Sequence, residues 1–186
     1  MAREVESKFR VGSPEEIREK LIGVGARFLS RNLEKDTYYS LPEGQALSAV
    51  RLRSFGQKGL FTIKSAPEAG FESAPGIKVL EELQVEVDDA VLFGRMLEMM
   101  GFSPQFKKEK IRESYDWNGL LICLDELPHL GFFLEIEAPE DALAKTAVAL
   151  GLDMGRAIGM TYMQIFSRYK AARNAPDLEL TFESKR

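Results

Sequence analysis

The sequence predicts an α+β fold in which eight antiparallel strands carry four amphipathic helical segments. The order strand, helix, three strands occurs twice along the 186 residues. Each strand alternates, with one face apolar and the other charged. Turn signals built on Gly, Pro and Asn separate the strands.

Residues 3–11 alternate and read as the first strand. Ser13-Pro14-Glu15-Glu16 opens a helix, with Ser13 as cap, Pro14 at the first helical position and Glu16 closing a capping box. Ile17, Leu21 and Val24 form its apolar stripe and Gly25 ends it. Strands follow at 29–41, 48–55 and 59–65, turning at Pro42-Glu43-Gly44 and at Gly56-Gln57-Lys58-Gly59. Ser65 to Gly76 reads as a loop rich in Gly, Pro, Ala and Glu.

The second copy opens with a strand at 78–87 and a helix capped by Asp88 or Asp89. Val91, Leu92, Met96, Met99 and Met100 supply the apolar stripe of that helix, which places the methionines in the core, and Gly101 ends it. Strands at 105–116, 119–126 and 131–138 are joined by Asn118-Gly119, a strong hairpin signal, and by Pro128-His129-Leu130-Gly131. In each copy fourteen positions separate the helix-ending glycine from a tyrosine, Gly25 from Tyr39 and Gly101 from Tyr115. A third helix runs from Pro139-Glu140-Asp141 to Gly151, and a fourth spans 159–172. Residues 1–172 are expected to form a single domain. The charged tail 173–186 alternates at Leu178, Leu180 and Phe182, as an extra strand or a loose end.

Composition narrows the function. The net charge of −4, from 25 Lys and Arg against 29 Asp and Glu, argues against nucleic-acid and anionic-membrane partners, which need a basic surface. No run of apolar residues is long enough to span a bilayer, and Glu4 and Glu6 would spoil an export signal. The single cysteine, Cys123, rules out an internal disulfide and fits a reducing cytoplasm, the expected location. As a lone thiol it reads as packing rather than nucleophile. The only histidine, His129, sits in a Pro-Gly turn and reads as solvated. Any metal is therefore expected on carboxylates, which favours Mg²⁺ or Mn²⁺.

The apolar strand face carries Val5, Phe9, Val50, Leu52, Phe61, Ile63, Leu83, Val85, Val87, Ile122, Leu124, Leu134 and Ile136. The opposite face carries Glu4, Glu6, Lys8, Arg51, Arg53, Lys64, Glu82, Glu86, Lys108, Lys110, Arg112, Asp125, Glu135 and Glu137. Eight such strands form either a sandwich or a barrel. Charged faces are ordinarily solvated. Here, however, the signs are sorted by strand, Arg51-x-Arg53 suits bidentate phosphate contacts, and four amphipathic segments need an apolar surface to cover. If the helices cover the outside of a barrel, the charges line its interior. A polyphosphate with a divalent metal would satisfy both signs.

Several motifs recur in one order: Glu4-Val5-Glu6-Ser7-Lys8, Asp36-Thr37-Tyr38-Tyr39, Arg51-Leu52-Arg53, Thr62-Ile63-Lys64, Glu81-Glu82, Lys110-Ile111-Arg112 with Tyr115, and Leu124-Asp125-Glu126 before Phe133-Leu134-Glu135-Ile136-Glu137. In these residues, from position 4 to about 166, the chain resembles the CYTH superfamily, the triphosphate tunnel metalloenzymes. The resemblance implies an eight-stranded antiparallel β-barrel, the triphosphate tunnel, with helices packed outside, binding a triphosphate with Mg²⁺ or Mn²⁺. It implies Glu4, Glu6, Asp125, Glu135 and Glu137 as metal ligands or their support, with Glu4, Glu6, Glu135 and Glu137 catalytic. It implies Lys8, Arg51, Arg53, Lys64, Lys110 and Arg112 as phosphate contacts, with Glu82 and Arg156 as secondary candidates. Two departures stand out: Gly159-Met160-Thr161-Tyr162 replaces a basic residue before Ser-Tyr, and Lys78-Val79-Leu80 precedes the acidic strand where some members have Arg.

The resemblance is strongest to the bacterial class IV adenylyl cyclase branch, which implies conversion of ATP to 3′,5′-cyclic AMP and pyrophosphate. The alternative is an inorganic or thiamine triphosphatase releasing orthophosphate. A third reading is a non-catalytic polyphosphate- or nucleotide-binding module, against which the intact acidic set weighs. The partner expected is a triphosphate small molecule (ATP, inorganic triphosphate or thiamine triphosphate), and a homodimer is left open.

Overall fold

A computed structural model describes residues 2–41, 47–67 and 73–185. The Pro42-Glu43-Gly44 turn and residues 68–72 of the Gly- and Pro-rich loop lie outside the described residues. In chain order the elements are β1 (Ala2–Val11), α1 (Pro14–Gly23), β2 (Arg27–Tyr39), β3 (Leu47–Phe55), β4 (Lys58–Ser65) and β5 (Ile77–Val87). Then come α2 (Ala90–Met99), β6 (Pro104–Trp117), β7 (Leu120–Leu127), β8 (Gly131–Glu137), α3 (Glu140–Ala149) and α4 (Tyr162–Arg173), with short 3-10 turns at Met154–Arg156 and Glu183–Lys185. The hydrogen-bonded strand order β1-β5-β4-β3-β2-β6-β7-β8 closes in a ring, which selects the barrel over the sandwich. The twofold strand–helix–three-strand order is as expected.

The chain divides into two compact units, one of Met1–Glu4, Glu34–Phe71 and Val79–Glu109, the other of Val5–Leu33, Glu72–Lys78 and Lys110–Arg186. In the first, β2, β3, β4 and β5 pair antiparallel, with Asp36 opposite Arg53, Arg51 opposite Thr62 and Lys64 opposite Glu82. Tyr39, Val50, Leu52, Ala90 and Leu97 form the core, with Phe61 and Phe93 against it.

The apolar stripe read for α2 is not the buried one. Ala90, Gly94 and Leu97 face the core, whereas Met96, Met99 and Met100 are 48%, 90% and 62% exposed, as are Val91 and Leu92 in large part. The reason is Gly94. A Cβ there would stand 3.1 Å from the Tyr39 hydroxyl, so the helix approaches the sheet along its residue without a side chain. That rotates the methionines outward. On β5, Leu83 and Val85 are likewise exposed rather than covered.

In the second unit β1, β8, β7 and β6 pair in succession, all antiparallel. Their apolar faces bury Phe9, Ile122, Leu124, Leu134 and Ile136. Three helices cover this surface through Ile17 and Leu21, Leu143 and Ala147, and Phe166. Ser13 accepts the Glu16 N–H at 3.2 Å and its hydroxyl donates to Glu15, but among the described residues no bond returns from the Ser13 backbone N–H to the Glu16 carboxylate. The full capping box is instead on α4, between Thr161 and Gln164. Trp117 donates its indole N–H to the Val24 carbonyl at 2.9 Å, tying the hairpin end to the end of α1.

His129 is not a solvated turn residue. Its backbone is left-handed, its ring stacks 6.2 Å from Phe166, and Nε2 lies 3.1 Å from the Ser184 hydroxyl. Leu180 is fully buried.

Candidate active site

Strand register brings charged residues of the second unit together. Lys8 stands opposite Glu135 and Glu6 opposite Glu137, while Arg112 stands opposite Asp125. Asp125 is completely buried. It accepts hydrogen bonds from Lys110 at 3.0 Å, from Arg112 through Nε and Nη2 at 2.7 Å each, and from the Tyr162 hydroxyl at 2.9 Å. Glu135 pairs with Lys8 and with Arg112. The Lys8 ammonium also lies 3.6 Å from Glu6 and 4.3 Å above the Tyr162 ring.

Burial alone would push the Glu135 carboxyl up, but Lys8, Arg112 and Lys110 hold it well below the usual range. Burial also works against an ionised Asp125, and Arg112 and Lys110 outweigh it. Lys8 gains the mirror effect: burial would lower its pKa, while Glu135 and Glu6 raise it. Tyr162 is pushed well up by burial and by the Asp125 and Glu135 charges, so it remains a phenol that donates.

The first unit holds a second cluster. Arg53 binds Asp36 through two guanidinium nitrogens at 2.7 and 3.0 Å and Glu34 at 2.8 Å. Lys108 lies 3.0 Å from Asp36 and donates to the Tyr38 hydroxyl at 3.2 Å. Lys64 bridges Glu4 and Glu82 at 2.5 and 2.6 Å. Arg51 donates to Thr62 at 3.0 Å. Its Nε–H, though buried, has no hydrogen-bond partner among the described residues, and such a donor is costly unless an oxygen reaches it.

Asp36 is pushed up by burial and pulled well below its usual range by Lys108, Arg53 and Arg51. A carboxylate depressed in the folded state contributes stability in full above its unfolded pKa of about 4. It loses that contribution as pH falls from there through the lower folded value. The urea midpoint is therefore expected to fall steeply on acidification below about pH 4, and Asp36→Asn to flatten that slope.

Three carboxylates cluster: Glu4, Glu6 and Glu137 each offer an oxygen, all within 4.8 Å of one another, a cradle that could hold a cation. A set made only of carboxylate oxygens is the donor chemistry of a hard divalent ion, so Mg²⁺ or Mn²⁺ fits these residues. Asp125 and Glu135 lie instead among cations, in the ion pairs described above. Glu86 is exposed, and so is Arg156, on the Met154–Arg156 turn.

Further residues join these clusters, Glu34 among them. Asp36 and Tyr38 stand in a motif that was legible but had no role attached. Lys108 extends the alternation Lys108-x-Lys110-x-Arg112, which signalled it. Tyr162 enters from a helix, outside any strand pattern. Lys78 was read only as a departure; its ammonium lies 2.9 Å from Glu6. Cys123 is buried and burial pushes its thiol up to about 12, so it stays protonated and packs, as read. Among the described residues no helix is long and apolar enough to cross a membrane.

The family model described as the CYTH domain matches residues 2–150. The protein named "Putative adenylate cyclase MJ0240", from Methanocaldococcus jannaschii, is 26% identical over 137 residues, covering 72% of this chain and 75% of its own. The solved structure of the PH1012 protein from Pyrococcus horikoshii OT3 superposes with a TM-score of 0.74 at 26% identity, covering 87% of this chain and 98% of the other. HpAC1 from Hippeastrum, described as having a dominant triphosphatase activity, shares the fold at a TM-score of 0.64 and 19% identity, with 89% and 96% covered.

Proposed function

The chain belongs to the CYTH family, whose members are metal-dependent and act on triphosphates, and on that premise we propose that it is a class IV adenylyl cyclase-like enzyme converting ATP to cyclic AMP and pyrophosphate. The observation that carries the reading is the cradle of Glu4, Glu6 and Glu137 among buried cations. A module that only held phosphate would need the bases and would be weakened by the acids.

Glu4, Glu6 and Glu137 would hold the divalent ion, which when bound neutralises phosphate oxygens. Lys8, Lys110 and Arg112 of the second unit take the remaining phosphate charge, and Arg51, Arg53 and Lys64 are the further phosphate contacts that the family resemblance implies. Their positive charge favours the transition state, in which negative charge builds on the leaving oxygens. The Arg51 Nε–H, without a hydrogen-bond partner among the described residues, suits one such oxygen. Asp125 and Glu135 orient Lys8, Lys110 and Arg112, so these cations need no reorganisation when substrate arrives. Tyr162 braces Asp125 from the helix side. No protein nucleophile is required. In the cyclase the ribose 3′ oxygen attacks the α-phosphorus and pyrophosphate leaves.

The second reading is a triphosphatase, in which water attacks the terminal phosphorus. It is favoured by the makeup of the two clusters, whose charged and phenolic groups serve phosphate and metal without selecting a nucleoside. The test is product analysis with Mg²⁺ or Mn²⁺ and, separately, ATP, inorganic triphosphate and thiamine triphosphate. Cyclic AMP from ATP is the expected product. Orthophosphate from the other substrates, without cyclic AMP, replaces the cyclase by the triphosphatase. Binding without turnover overturns both.

A further inference from the structure

Lys78, the second residue of β5, lies outside the motifs that carry the family likeness. Its ammonium is 2.9 Å from Glu6 Oε1, and its side chain is only 21% exposed. The backbone that presents it is pinned. The Ser7 hydroxyl donates to the Gly76 carbonyl at 3.1 Å. Gly76 has φ +80°, and a Cβ there would stand 2.5 Å from the Ala157 Cβ, so only glycine passes this point without displacement. The next residue, Ile158, donates its N–H to the Lys8 carbonyl at 2.7 Å. The turn before Lys78 is thus wedged between β1, which bears Glu6, and the segment at 157–158. Lys78 reaches Glu6 by construction of this corner and not as a free surface lysine.

We propose that Lys78 is the nearer of the two resident counter-cations of Glu6, the other being Lys8, and the one that a divalent metal has to displace, so that Lys78 tunes the metal affinity of the carboxylate cradle. This rests on the reading of Glu4, Glu6 and Glu137 as the metal-binding set. Two effects act in the same direction. The Lys78–Glu6 pair has to separate before that oxygen can coordinate. The ammonium also repels an incoming dication across the same few ångströms, beside the buried Glu6 carboxylate. In exchange, the metal-free protein does not hold three carboxylates within 4.8 Å against their mutual repulsion unrelieved. Lys78 therefore weakens metal binding and stabilises the metal-free fold.

The experiment is Mn²⁺ titration calorimetry on the full chain without substrate, with melting curves in EDTA and in Mn²⁺, for wild type, Lys78→Met, Lys78→Arg and Glu6→Gln. Lys78→Met is expected to bind Mn²⁺ about tenfold more tightly. It should also melt below wild type in EDTA and gain more on adding Mn²⁺. Lys78→Arg, which keeps the charge, should stay close to wild type. Wild-type Mn²⁺ binding that Glu6→Gln abolishes but Lys78→Met leaves unchanged overturns the role of Lys78 and leaves the metal reading standing. Absence of Mn²⁺ binding in wild type and variants alike overturns both. Should Lys78→Met not fold, Lys78→Gln supplies the same neutral comparison.

Discussion

Glu6→Gln is expected to lower metal-dependent turnover by about 100-fold or more while leaving the fold in place. Glu6 is 6% exposed and offers one of the three oxygens of the cradle. Glutamine has the same shape and keeps an acceptor for Lys78, so the corner at Gly76 is undisturbed. It lacks the charge that a divalent ion requires, and a neutral amide among two carboxylates is a poor substitute for a third. The measurement is product formation from ATP or inorganic triphosphate across a Mn²⁺ series, beside a melting curve. A melting temperature close to wild type, with activity lost and not recovered by excess Mn²⁺, is the expected pair of results. Turnover within a few-fold of wild type would remove Glu6, and with it the cradle, from the chemistry.

Asp125→Ala has its largest effect on stability. Asp125 is 0% exposed and holds Lys110, Arg112 and the Tyr162 hydroxyl. Removing the carboxylate leaves two cations and a phenol without their shared acceptor, and breaking a buried pair from one side costs about 3–5 kcal/mol. For a chain of this length that is a fall of roughly 10 °C or more in melting temperature. Asp125→Asn, which keeps an acceptor for Tyr162, should lose less. Inorganic triphosphate should raise the melting temperature of Asp125→Ala more than that of wild type, because its oxygens can replace the missing carboxylate beside Lys110 and Arg112. An equal shift in both would mean that these cations do not receive the polyanion.

Much of the fold was legible because its signals are local. Asp89 caps α2 by accepting the Leu92 N–H at 2.9 Å, one of the two aspartates singled out for that role. Gly25 and Gly101 end their helices with positive φ, a conformation that a glycine adopts at little cost. Period-two alternation separated Glu6 and Lys8 from Phe9, and Arg51 and Arg53 from Leu52. The α2 stripe was misread because two apolar faces compete on that helix. Only the approach to Tyr39 shows that the narrow one, through Ala90, Gly94 and Leu97, is the face that is covered. His129 was misread because its partners, Phe166 and Ser184, come from segments far along the chain.

The sequence by itself determined the eight strands, the twofold order, the glycine ends of α1 and α2 and the charged residues that each strand presents. With one histidine and one cysteine it also pointed any metal ligation to carboxylates. Only the tertiary structure decided which cation stands on which carboxylate. Tyr162 meets Asp125 across 37 residues, and Lys78 meets Glu6 across 72. Such pairs depend on strand register and on the path of the connecting turn. A shift of one residue in either would carry the charge to the opposite face, and no local pattern records that choice.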